Sequence, residues 1–221
     1  MALPHRIGLV FDMDNTVLGS HIDFAAIRGE LGAMLREAGA TAEPDEALRR
    51  RAIGELVAWG AAHDAARRTT LVPQMWAVIS AHETEGLRDA GALDGAPDVL
   101  AALRSCGYRL AILTNNSRAG ASVALRAAGL ADAAETVVTR DDVAAMKPAG
   151  DGAVEALRRL GGPDRAYVIG DSWIDGAAAA AAGARFIAYR RTADELRAHG
   201  VRPWRVIHHL AELLGIDFGD G

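Results

Sequence analysis

Two aspartates stand one residue apart where the apolar run of LVFDMDNTVL, residues 9–18, gives out, and Asn15 and Thr16 follow them. Carboxylates so close along the chain can hold a hard cation, attack an electrophile or move protons. Residues of the same character recur after later apolar runs. Thr114, Asn115, Asn116 and Ser117 follow YRLAIL, Asp171, Ser172 and Asp175 follow AYVIG, and Lys147 precedes Pro148 between these two groups. Packing such carboxylates together is unfavourable without positive charge, and an all-oxygen ligand set selects a hard divalent cation, Mg2+ above all where phosphate is present. Lys147 has a second role open to it, keeping an aspartate ionised and drawing in an anionic group. A cation and a lysine at one end, with a hydroxyl and amides at the other, suit a phosphoryl group, whose transfer depends on positioning and charge neutralisation. An aspartate can attack phosphorus itself, splitting one hard step into two, while the carboxylate two residues on shuttles protons.

These residues can meet only if the chain brings the ends of several strands together. Residues 7–11, 108–113, 135–139, 166–170 and 184–189 are short β-branched or aromatic runs, each followed by a polar or glycine-containing turn and an alanine- and leucine-rich helical segment. That alternation predicts an α/β fold, a Rossmann-like parallel sheet core with helices on both faces. Ligands of such sheets bind beyond the carboxyl ends of the strands, where the polar residues above would converge. Residues 20–92 read differently, with helical periodicity, no convincing strand, and breaks at Gly39–Pro44 and near Pro73. Asp45 and Pro73 suit helix starts. A helical stretch of this length is too long for a crossover, so an inserted α-helical cap subdomain is expected at 20–92, with the α/β core formed by 1–19 and 93–221. The alanine-rich AAAAAAG at 177–183 is expected to be a small-residue helix lying close on the sheet.

The segments FDMDNT, ILTNNS, MKPAGD and VIGDSWID resemble the four ordered motifs of the haloacid dehalogenase superfamily, in its phosphoglycolate phosphatase-like branch with a helical cap after the first motif. The resemblance covers nearly the whole chain. It implies a Mg2+-dependent phosphoric monoester hydrolase acting on a small-molecule phosphate ester. Asp12 resembles the nucleophile and Asp14 the general acid and base; Thr114, with Asn115 beside it, resembles the phosphate-binding residue; Lys147 resembles the lysine that steadies nucleophile and phosphate. Asp171 resembles the metal-ligand aspartate, joined by the Asp12 side chain and the Asp14 backbone carbonyl, with Asp175 auxiliary. Thr16 is expected to position the loop and the Asp14 side chain, and the cap to close over substrate. An aspartate at position 14 favours phosphate esters over dehalogenation. His21 does not match the spacing of the cap histidine in the β-phosphoglucomutase branch, so a phosphomutase is the alternative, with a non-catalytic binding protein on the same scaffold behind it. The stretch PAGDGA after Lys147 departs from the family pattern, an effect expected on packing rather than chemistry.

Composition bounds the remainder. The 221 residues carry a net charge of −5 with a pI near 5.8, against any chain that tracks a nucleic-acid backbone. No stretch is apolar for long enough to span a bilayer and no leader pattern opens the sequence, so a cytoplasmic protein, monomeric or homodimeric, is expected. The single cysteine, Cys106, is expected to be a buried or half-buried thiol without a task. A Gly-x-Gly-x-x-Gly turn, the mark of a dinucleotide binder, does not follow the first strand. Asn116 and Ser117 read as a helix N-cap pair. Arg49, Arg50, Arg51, Arg67 and Arg68 read chiefly as a solvated helix face, Trp59 and Trp76 as core of the helical insertion, and His208 and His209 as structural. His21 and Asp23 fall where a hinge should lie.

Overall fold

The computed structural model describes residues 6–67 and 69–219. The chain divides into two units, one made of residues 1–20 and 90–221, the other of residues 21–89. In the first, β1 (Ile7–Asp12), β4 (Arg109–Leu113), β5 (Thr136–Val138), β6 (Arg165–Gly170), β7 (Arg185–Tyr189) and β8 (Arg205–Ile207) form a six-stranded sheet in the order β5-β4-β1-β6-β7-β8, every pairing parallel. The strands are near-continuous apolar runs because both faces are covered. Val10, Ala111 and Val168 join one buried cluster with Ala153 and Ala156 of α7 (Asp151–Arg159) and Ala179 of α8 (Trp173–Ala181). Leu9, Phe11, Leu110, Ile112 and Ile169, pointing the opposite way, are equally buried. The helices α5 (Ala96–Ser105), α6 (Arg118–Ala127) and α9 (Ala193–Arg197) complete the alternation.

Small residues let the helices lie close. A Cβ on Gly152 would stand 2.6 Å from Leu113 of β4, so within PAGDGA this glycine is where α7 lies close on the sheet. α8 buries Ala178 and Ala179 against β6 and β7, which accounts for the alanine run. β8 was not legible: three residues between Pro203 and His208 carry too little pattern. The same holds for β2 (Leu18–Gly19) and β3 (Gly91–Ala92), an antiparallel pair of two residues each, one of them inside the stretch expected to hold no strand.

The second unit is helical: α1 (Phe24–Glu37), α2 (Asp45–Arg49), α3 (Ile53–Arg67) and α4 (Leu71–Gly86). It has a core of its own, including Ile27, Leu31, Leu48, Leu56, Met75 and Ile79. Asp23 caps α1, accepting hydrogen bonds from the N–H groups of Ala25 and Ala26 at 3.1 and 2.8 Å. α2 starts at Asp45 as expected, whereas α4 starts two residues before Pro73, which sits in its first turn. Asp64 of α3 receives the N–H groups of Leu71 and Val72, both at 2.9 Å, and so satisfies that helix end from a neighbouring one. Among the described residues no helix is long and apolar enough to cross a membrane.

Candidate active site

In the sheet register Asp12 lies opposite Leu113 of β4 and Phe11 opposite Ile169 of β6, so the residues following these strands leave at one edge. After Asp12 the chain turns sharply. Asn15 takes the left-handed conformation (φ +58°), which asparagine tolerates, and the N–H groups of Val17 and Leu18 both donate to the Met13 carbonyl, at 3.1 and 2.9 Å. This turn carries Thr16 back over β1, where its hydroxyl donates to Asp12 Oδ2 at 3.1 Å. The expected partner was Asp14; in the folded turn Thr16 serves Asp12 instead.

Lys147 is almost fully buried, at 3 % exposure. Its ammonium donates to Asp12 Oδ1, to Asp175 Oδ1 at 2.7 Å and to the Leu113 carbonyl at 3.4 Å, so each of its hydrogens has an acceptor. Asn115 fixes the segment that delivers it: Nδ2 donates to the Lys147 carbonyl at 3.0 Å and Oδ1 accepts from the Lys147 N–H at 2.9 Å. The Asn115 amide thus serves the lysine's backbone. Asp175, in the first turn of α8, accepts from the Ser172 N–H at 3.1 Å through its second oxygen.

Asp14 is held from the other side. Its Oδ2 accepts from Asn116 Nδ2 at 2.8 Å and from the Thr114 hydroxyl at 3.3 Å, while its Oδ1 has no hydrogen-bond partner among the described residues. The pairing of Asn116 with Ser117 as helix caps is therefore corrected. Ser117 alone caps α6, accepting from the Gly120 N–H at 3.2 Å, and the buried Asn116 side chain, one residue further from the helix, turns to the sheet edge.

Burial dominates the electrostatics. It pushes the Asp12 carboxyl well above the usual range; Lys147 pulls against it, while Asp175, Asp171 and Asp14 add to the rise. Burial raises Asp14 too, opposed by Ser20, Lys147, Thr114 and Asn116. Asp171 is pushed up to about 6 by burial and by Asp175, with Arg191 and Lys147 opposing. Burial depresses Lys147, but Asp12 and Asp175 outweigh it and hold the ammonium protonated well above its ordinary range. The cluster is short of positive charge. Carboxylate oxygens of Asp12, Asp171 and Asp175 lie within 4.8 Å of one another, a set that fits a hard cation. Both Asp175 oxygens accept hydrogen bonds, from Lys147 and Ser172, and so do both Asp12 oxygens, from Lys147 and Thr16, which leaves the Asp171 carboxylate the least engaged of the three.

The structure thus brings Asp12, Asp14, Thr16, Thr114, Asn115, Lys147, Asp171 and Asp175 to one sheet edge, together with Asn116, expected only as a helix cap, and with Ser20 and Arg191, to which the sequence pattern assigns no part. Arg191 donates through Nε to the Asp171 carbonyl at 2.8 Å. Arg191 stands two residues past the run 184–189, where the polar residues of the other strand ends also lie. Elsewhere the roles are local. Arg50 and Arg51 pair with Glu46 and Glu43, at 2.5 and 2.8 Å, and Arg51 lies 5.0 Å from the ring of the half-buried Trp59. Arg68 lies outside the described residues. His208 and His209 give their N–H groups to Glu212, both at 2.8 Å. Cys106 is exposed rather than buried, because it is the residue at which α5 ends.

Fold and site together define an α/β enzyme with an acidic centre at the carboxyl edge of its sheet. The model of the haloacid dehalogenase-like hydrolases matches residues 8–183, and the chain belongs to that family. It is similar to a phosphoglycolate phosphatase of Rhodospirillum rubrum, 31% identical over 186 residues that cover 79% of this chain and 76% of that protein. The plasmid phosphoglycolate phosphatase of Cupriavidus necator is 44% identical over 85 residues, 38% of this chain and little more than a third (37%) of that protein's length. Among solved structures, a family hydrolase of Deinococcus radiodurans with bound phosphate and sodium superposes with a TM-score of 0.60 at 26% identity, over 93% of this chain and 92% of that one.

Proposed function

We propose that the protein is a Mg2+-dependent phosphatase that hydrolyses a small phosphorylated metabolite through an aspartyl phosphate on Asp12. The observation that carries this reading is the Lys147 ammonium shared between Asp12 and Asp175, beside an Asp14 carboxyl with one oxygen unengaged. In this reading the Asp12 carboxylate attacks phosphorus and the bond from phosphorus to the ester oxygen breaks. Asp14, with one carboxyl oxygen unengaged, gives its proton to the departing oxygen. It then takes a proton from water, whose oxygen attacks phosphorus, frees Asp12 and releases inorganic phosphate. Lys147 holds the nucleophile in place and offsets phosphoryl charge. The Thr114 hydroxyl, only loosely engaged at 3.3 Å, is free to turn to a phosphoryl oxygen, with Asn115 holding the lysine segment beside it. Asp12, Asp171 and the Asp14 backbone carbonyl would hold the cation, with Asp175 acting through Lys147. Bound there, Mg2+ supplies the positive charge the cluster lacks and neutralises phosphoryl oxygens.

The names of the relatives point to phosphoglycolate, a small phosphorylated acid, as the substrate to try first. We read the helical unit, residues 21–89, as the cap of the family. The test is phosphate release from phosphoglycolate, other phosphorylated metabolites and an aryl phosphate, with Mg2+ or EDTA, comparing wild type with Asp12→Asn. Release that needs both the cation and Asp12 is expected. Undiminished turnover by Asp12→Asn would remove it as nucleophile, and isomerised sugar phosphate with little free phosphate would favour a mutase.

A further inference from the structure

β7 ends at Tyr189, at the same edge of the sheet as Asp12 and Gly170. The two arginines that follow part company. Arg190 takes a left-handed conformation (φ +54°), lies over the Tyr189 ring at 4.8 Å and donates to the His208 carbonyl at 3.3 Å. Arg191 reaches instead to the acidic centre. Its Nε donates to the Asp171 carbonyl at 2.8 Å, and its Nη2 stands 3.6 Å from Asp171 Oδ2, too far for a hydrogen bond. The side chain is 50% exposed.

The guanidinium is thereby anchored at Nε while its two Nη groups keep uncommitted donors. A planar fork held at one end in this way has the geometry that grips a carboxylate through two parallel hydrogen bonds. Its surroundings sharpen the point. Lys147 has given its ammonium to Asp12, Asp175 and the Leu113 carbonyl, so beside Asp171 it is Arg191, rather than Lys147, that keeps donors for an incoming anion. A substrate carrying negative charge beyond its phosphoryl group would otherwise meet four carboxylates.

We propose that Arg191 determines specificity by taking a carboxylate on the leaving group of the phosphoester. This inference rests on the phosphatase reading, which it deepens by assigning a residue to the substrate's second anionic group. It calls for a matched pair of substrates, phosphoglycolate and 2-hydroxyethyl phosphate, which differ in a carboxylate against a neutral hydroxymethyl group. At saturating Mg2+, Arg191→Gln should lower kcat/KM for phosphoglycolate by about tenfold to a hundredfold, chiefly through KM, the usual range for losing a charge-assisted pair. The neutral ester should change by less than about threefold, and Arg191→Lys should restore part of the preference. Equal losses on both esters, or none on either, would overturn the assignment; equal losses would mean that Arg191 acts only by positioning Asp171. Calorimetric binding of both compounds to Asp12→Asn, with and without Arg191→Gln, reads the same discrimination without turnover. If wild type hydrolyses neither ester, the phosphatase reading fails on its own, and Arg191-dependent binding of the carboxylated compound alone still decides the contact.

Discussion

Replacing Asp171 by asparagine separates what the acidic centre costs the fold from what it does for function. The Asp171 carboxyl stands near pH 6 where an unfolded chain has 3.8, with burial as the first cause and the Asp175 charge as the second. A raised carboxyl pKa is a penalty on the ionised form. It is absent below about pH 3.8, grows between about pH 4 and 6, and is complete above, where it amounts to about 3 kcal/mol. Metal-free protein should therefore lose stability as pH rises through that window. Asparagine carries no charge at any of these pH values, so the variant sheds the penalty. The loose contact with the half-exposed Arg191 opposes the shift and is already contained in that figure. The expected gain at pH 7.5 in EDTA is about 3 kcal/mol, vanishing at about pH 4. Urea unfolding at the two pH values, in EDTA and again in saturating Mg2+, reads both effects. Mg2+ should stabilise wild type, by mass action on the folded state, and should act far more weakly on the variant. An Asp171→Asn protein less stable than wild type at pH 7.5 in EDTA, or one that Mg2+ stabilises equally, would refute the reasoning.

Lys147→Met should cost about 3–5 kcal/mol, because it strips the buried Asp12 and Asp175 of their shared partner; denaturant unfolding checks this. Gly170→Ala places a Cβ 2.5 Å from Cγ and Oδ2 of Asp175, which Lys147 and Ser172 hold fixed, so a loss of about 1–3 kcal/mol is expected together with a sharp fall in phosphate release. Wild-type stability and turnover in that variant would show that Asp175 can move without consequence.

Much of the α/β unit was legible because its strands are buried on both faces and therefore read as apolar runs, each with a polar residue where burial stops. Asp12, Thr114 and Asp171 were found by that rule. The rule weakens where an element is too short to carry a period, as in β2, β3 and β8. It also gives position without orientation: Asn116 looked like a cap beside Ser117, and only the direction of its side chain shows that it serves Asp14.

The sequence by itself determined the alternation of strand and helix, the helical insertion and the set of residue types at the sheet's carboxyl edge, because each depends on local pattern. Tertiary structure decided the pairings. That Asn115 grips the lysine's backbone across 32 residues, that Thr16 turns to Asp12, and that Arg191 reaches Asp171 from the neighbouring strand end are set by register and by the path of turns. Those contacts join groups distant in sequence or folded back by one tight turn, and hydrophobic periodicity carries no information about where a polar side chain finds its partner.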